Sequence, residues 1–175
     1  MGRNKLTLLL LLLFLLEGTV AKWIIPPSWQ LQVVVTPHLT LVAIMFIGIY
    51  LNKRLGLAYG LGFGLLHDIV YYGPMIGTYC MTMGVIGYLS GYIPFRSQAN
   101  IMTSLFLVVS GNLLFEWMIY GIYRVTQIRH MDPQWAFMNI MLPTILVNLL
   151  FALMIYVPMR KMLDHIRKIQ KREKE

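Results

Sequence analysis

Long apolar runs constrain this chain more than any other feature. A membrane-crossing helix needs about 20 mainly apolar residues, and the sequence offers six such segments in its 175 residues. They cover about 5–25, 37–52, 55–71, 75–93, 101–123 and 136–158. The first is an almost pure leucine stretch from Leu6 to Leu16 that continues to Ile25. Thr36-Pro37 reads as an N-cap followed by proline at the first helical position, and Asp132-Pro133 reads the same way. Pro143 lies inside the last run and predicts a kink there. Only 13% of residues are charged, about half of what a soluble domain uses to cover its surface. The expected fold is an all-α integral membrane protein, a compact bundle of six transmembrane helices over residues 1–160, with a basic tail over 161–175.

Charge placement then orients the bundle. With the N-terminus in the cytoplasm, Arg3, Lys5, Lys53, Arg54, Arg96 and every base from Arg160 onward fall inside, and only Lys22, Arg124 and Arg129 fall outside. That asymmetry follows the positive-inside rule and predicts both termini in the cytoplasm. Trp23, Trp29, Trp117, Tyr123 and Trp135 include several rings near the predicted outer ends, at headgroup depth. The net charge of +8 is thereby explained by topology, so nucleic acid is not an expected partner. The segment 1–21 also has the pattern of a signal peptide, with Arg3 and Lys5, a leucine core and Gly18-Thr-Val-Ala21. Because the apolar stretch runs on past Ala21, retention of the segment as a span is the expectation. The tail places Met162, Leu163, Ile166 and Ile169 on one helical face, with Arg160, Lys161, Arg167, Lys168, Lys171 and Arg172 available for anionic lipid.

Inside the spans, glycines recur at helical spacing. Gly56, Gly60 and Gly64 are four apart, Gly77, Gly84 and Gly91 seven apart, and Gly87 precedes Gly91 by four. Small residues so spaced let another backbone approach closely, either within the bundle or as a groove for a partner's helix. Gly60-Leu-Gly62-Phe-Gly64 is not a phosphate loop, since no Lys-Ser/Thr follows. The intramembrane acids are Glu17, Asp68 and Glu116, and buried acids in lipid need a partner, a cavity or water. Asn112, Glu116 and Tyr120 share one face of the fifth span, and Asn148 adds a polar group to the sixth. Asp68 and Glu116 find no Lys or Arg at matching depth, which leaves them for interhelical hydrogen bonds or for a partner's polar group.

A catalytic set is not apparent. His67 and Asp68 are helix neighbours that point apart, there is no His-x-x-x-His pair for zinc, and Ser110 has no evident His or Lys partner. Cys80 is the one cysteine, so no intramolecular disulfide forms. No metal and no cofactor is expected, and the chain reads as a non-enzyme.

Several local patterns occur together in order. Pro37-His-Leu-Thr-Leu precedes the Gly56–Gly60–Gly64 run, which closes on Leu-Leu-His-Asp68. Gly77-Thr-Tyr79, Gly87-Tyr88 with Gly91, and Leu142-Pro143-Thr-Ile-Leu-Val-Asn148 with Tyr156 before Arg160-Lys161 follow. Over 6–163 this order resembles the rod shape-determining protein MreD family, although the outer segment 23–36 is longer than that pattern leads one to expect. The resemblance implies a non-enzymatic scaffold subunit of the bacterial cell-elongation machinery in the cytoplasmic membrane. It implies a single-span MreC-like partner and, through it, MreB-like actin filaments and the wall-synthesis enzymes. The span layout is also similar to the substrate-binding subunits of energy-coupling-factor vitamin transporters, the alternative reading. An intramembrane hydrolase stands further off.

Overall fold

The computed structural model describes residues 2–24, 35–71, 73–92, 100–128 and 130–172. These residues are helical, with short connections. The elements are α1 (Gly2–Ile24), α2 (Leu39–Tyr50), α3 (Lys53–Val70), α4 (Thr78–Ser90), α5 (Ile101–Val125), α6 (Pro133–Ala136), a π-helical turn (Phe137–Met141) and α7 (Leu142–Arg172). Segment 25–34, the Trp29 anchor, Arg96 and Arg129 lie outside the described residues, as do the side chains of Arg3, Lys22, Trp23, Lys171 and Arg172.

Every residue of α2 is buried. With 12 residues it rises about 18 Å, well short of a bilayer core. The other helices surround it, and contacts along their lengths give their directions. Thr7 meets Tyr59 and Phe14 meets Tyr71, so α1 and α3 run parallel. Tyr50 meets Ser104 while His38 meets Phe115, so α2 and α5 run antiparallel. His38 meets Asn148 and Phe46 meets Tyr156, so α2 and α7 run parallel. Since α4 is antiparallel to α3, the helices α1, α3 and α5 point one way and α2, α4 and α7 the other. Among the described residues, two rods are long and apolar enough to cross a membrane by length and composition, Ile101–Val125 and Pro133–Ile169.

The closest helix pair is α3 with α4, and its glycines explain the proximity. A methyl group on Gly56 would overlap the Gly87 carbonyl oxygen, one on Gly60 the Met83 carbonyl oxygen, and one on Gly64 the Tyr79 carbonyl oxygen. Gly91 abuts the Lys53 backbone and the Gly48 carbonyl, and Gly48 itself abuts Gly87 and Ser90, so three helices converge at one end. Gly84 faces the flexible side chains of Leu61 and Leu57. The glycine face of α3 is therefore filled by α4, so of the two readings of the spacing, packing within the bundle or a groove for a partner's helix, the contacts are those of the first. A partner helix would have to displace α4 to reach Gly56, Gly60 or Gly64.

Local signals set several boundaries. Asp132 caps its helix by accepting from Trp135 N, with Pro133 at the first position. Thr36 and Pro37 do not start α2; His38 is its N-cap, and Thr36 N instead donates to Thr144 Oγ1. The irregularity near Pro143 is the π-turn, where Leu142 N bonds the Phe137 carbonyl five residues back. Proline lacks the amide that would bond the carbonyl four residues back, and a wider turn just before it absorbs the mismatch. The tail has no break at residue 160. Leu163 and Ile166 are buried in the hydrophobic core, so much of the apolar face expected to meet lipid meets protein. Lys161, Arg167 and Lys168 remain exposed on the other side.

Gly60→Leu is expected to abolish the folded bundle, because backbone meets backbone there. Gly62 is the control, since a methyl group added to it would have nothing within 4 Å. Gly62→Ala should be neutral or stabilising by up to about 1 kcal/mol from helix propensity. Thermal unfolding in mild detergent separates the two. Equal melting temperatures for both variants would mean α3 and α4 are not in contact along this face.

Candidate functional site

Four ionisable side chains from four helices meet beside the start of α2. Glu17 comes from the last turns of α1, His38 caps α2, His67 lies in the last turn of α3, and Glu116 comes from α5. All are buried. Glu17 Oε2 accepts hydrogen bonds from Thr40 N at 3.1 Å and Thr40 Oγ1 at 2.8 Å. Glu17 Oε1 lies 3.0 Å from His67 Nε2 and 3.4 Å from His38 Nδ1. The other ring nitrogen of His38, Nε2, lies 3.2 Å from Glu116 Oε1. His38 thus bridges two carboxylates.

The location follows from helix chemistry. The first amides of a helix have no partner within it, and its N-terminus carries partial positive charge. Glu17 supplies an acceptor and a negative charge to that end of α2. Asn148 adds an acceptor from α7, taking His38 N at 2.9 Å on Oδ1. The Asn148 amide donates to Asn112 Oδ1 at 2.7 Å, and Asn112 donates to the Val108 carbonyl. Aromatic rings surround the cluster. His67 stacks on Tyr79 with centroids 5.1 Å apart, and His38 meets Phe115 edge-on at 4.9 Å.

Asp68 does something different from its neighbour His67. Its carboxylate accepts from Gly77 N at 2.9 Å, Tyr79 N at 3.1 Å and Cys80 N at 3.0 Å. It caps α4 from the end of α3 and is only 2% exposed. Of the two readings left open for Asp68, interhelical hydrogen bonds or a partner's polar group, its contacts are the first, and beside Glu116, where no Lys or Arg lies, stands His38. Asn112, Glu116 and Tyr120 do share a face, but each has its own contact: Asn148, His38 and the Met131 carbonyl.

The residues that sequence reasoning missed are His38 and Thr40, together with the link from Glu17 to both histidines. Counting histidine as a base at the level of the acids finds His38, because Glu17, His67 and Glu116 lie toward the C-terminal ends of their segments and His38 at the N-terminal end of the antiparallel α2, which puts all four toward one end of the bundle. Among the described residues, no group of three or more His, Cys, Asp or Glu is arranged to hold a metal ion. The hydroxyls of Ser90 and Ser104 are engaged by the Gly87 carbonyl and by Tyr50. The arrangement binds helices together through hydrogen bonds and charge.

The sequence profile of the family described as rod shape-determining protein MreD matches residues 2–166, nearly the whole chain. The chain belongs to the MreD family. A relative named rod shape-determining protein MreD, from Bacillus subtilis (strain 168), is 23% identical over 168 residues, covering 96% of this chain and 97% of the relative. No solved structure matches. Membership supports a role in rod-shape determination, and together with the two long apolar rods it fits a membrane protein.

Asp68→Ala is expected to strip three amides of their acceptor and destabilise the hairpin of α3 and α4 by about 2 kcal/mol or more. Asp68→Asn keeps a side-chain oxygen and should lose less. Chemical unfolding of both variants in the same detergent ranks them. Identical stability of the Ala variant and the parent protein would show that Asp68 does not cap α4.

Proposed function

We propose that this protein is a non-enzymatic membrane scaffold of the cell-elongation machinery, binding a single-span MreC-like partner and helping to organise lateral wall synthesis. The observation that carries the reading is the family match across nearly the whole chain. The structure is compatible with it in a physical sense: Glu17, Asp68, Asn112 and Asn148 each join one helix to another. In this reading six helical segments cross the cytoplasmic membrane with both termini in the cytoplasm. Support comes from the alternating helix directions and from the basic residues gathered at one end, Lys53, Arg54, Arg160 and Lys161 among them. The reading keeps segment 1–21 in the folded protein, and the burial of Leu6, Leu10, Leu13, Phe14 and Glu17 supports it.

Two measurements test this. Reporter fusions after Arg54, Ser97 and Glu175 should read cytoplasmic, and those near Gly73 and His130 external; a periplasmic signal at Glu175 would overturn the topology. Coexpression with an MreC-like protein should give a complex that survives purification in mild detergent. A well-folded protein that recovers no such partner, and whose loss leaves cells rod-shaped, would remove the scaffold reading. A tightly bound vitamin in the purified protein would replace it with transport.

A further inference from the structure

His38 stands between two glutamates, with one ring nitrogen toward each. Nδ1 lies 3.4 Å from Glu17 Oε1, and Nε2 lies 3.2 Å from Glu116 Oε1. Both are charge contacts rather than aligned hydrogen bonds. Thr36 Oγ1 is a further neighbour of Nε2, at 3.4 Å. A neutral imidazole has one N–H and one lone pair. In either tautomer the lone pair would face a carboxylate oxygen, which repels it. The imidazolium carries N–H on both sides and turns positive charge toward both oxygens.

The surroundings offer few other ways to neutralise two buried carboxylates. Among the described residues, neither glutamate pairs with Lys or Arg. α3 brings His67, which bonds Glu17 through Nε2, and Asp68, whose carboxylate is taken up by the amides of α4. α4 brings the Tyr79 ring against both imidazoles. α7 brings Asn148, which does not titrate. Glu17 has Thr40 as well as the two histidines, whereas the charge that faces Glu116 Oε1 is that of His38. A buried carboxylate without an opposite charge is strongly destabilising.

We propose that His38 is a proton-dependent clasp: as an imidazolium it joins Glu17 of α1 to Glu116 of α5 across the head of α2, and loss of its proton loosens both helices. The proton comes from water and returns to it, and no other bond changes. The folded state holds a proton that the unfolded chain gives up more readily. The stabilisation is therefore present while His38 is protonated and is lost as the pH rises. Lys53 and Arg54 follow the opposite end of α2, so in the topology proposed above the clasp lies toward the external side. That placement rests on the topology; the clasp itself does not.

The full chain, with nitrogen-15 in its histidine rings, is held in mild detergent and its imidazole nitrogens are read by NMR. His130→Gln and His165→Gln, both at exposed positions, assign two of the four histidines. Thr36→Val shifts the His38 signals and separates them from those of His67. At neutral pH His38 should carry a proton on both ring nitrogens. The melting temperature should drop over the pH range in which His38 loses its proton. In Glu116→Gln the proton affinity of His38 should fall about tenfold or more, and the drop in melting temperature should move to lower pH with it. Two results would overturn the proposal: His38 with a single N–H at neutral pH, or a melting temperature that stays constant while its proton leaves. Both are read on the unaltered cluster, so the test stands even where Glu116→Gln fails to fold.

Discussion

The amides at the start of α2 have no water to turn to. α2 is buried along its whole length, and an unpaired amide in such a place costs several kcal/mol. Glu17 and Asn148, reaching in from α1 and α7, supply the missing acceptors. α4 has the same problem and the same kind of solution, with Asp68 reaching in from α3. Asp68 lies in the last turn of α3, where the helix dipole disfavours it, and Glu17 about two turns before the end of α1. Each is opposite the N-terminus of a shorter neighbour, where the dipole favours it. This exchange of caps between helices fixes which elements are adjacent and in which direction they run.

Close packing then follows where the caps allow it. Once Asp68 holds the first turn of α4 against the end of α3, the glycines at 56, 60 and 64 fall opposite the α4 backbone. The side-chain-free surface lets dispersion contacts form along the full hairpin. The long rods α5 and α7 close the bundle on the other side, linked at mid-length through Asn112 and Asn148. Loss of segment 1–21 would remove Glu17 and leave His38, His67 and Thr40 without their shared acceptor. The N-terminal leucine run thus carries a specific part of the core as well as apolar surface.

Much of this is legible in the sequence. Apolar run length locates the helices, the Asp132-Pro133 pair marks the α6 start, and glycine spacing singles out the faces that pack. Other features are not legible there. The helix-capping roles of Glu17 and Asp68 depend on which helix ends are adjacent in space, which one-dimensional spacing does not carry. His38 sits in an apolar context, and a search for Lys or Arg at the depth of the acids passes over it. Thr36-Pro37 has the form of a helix start, but the tertiary contact of Thr36 N with Thr144 Oγ1 outweighs it and delays the helix. The split of the tail's apolar face is also hidden, because a helical stripe looks the same whether lipid or protein covers it.

The central claim is that Glu17 and His67 are energetically coupled across the α1–α3 contact at the head of α2. A double-mutant cycle with Glu17→Gln and His67→Phe, read by chemical unfolding of the full chain in one detergent, measures it directly. Groups 3.0 Å apart in a buried network should give a coupling energy of about 1 kcal/mol or more. Each single variant should be clearly destabilised, because it leaves the other group buried without its partner. Strictly additive effects, with a coupling indistinguishable from zero, would contradict the account.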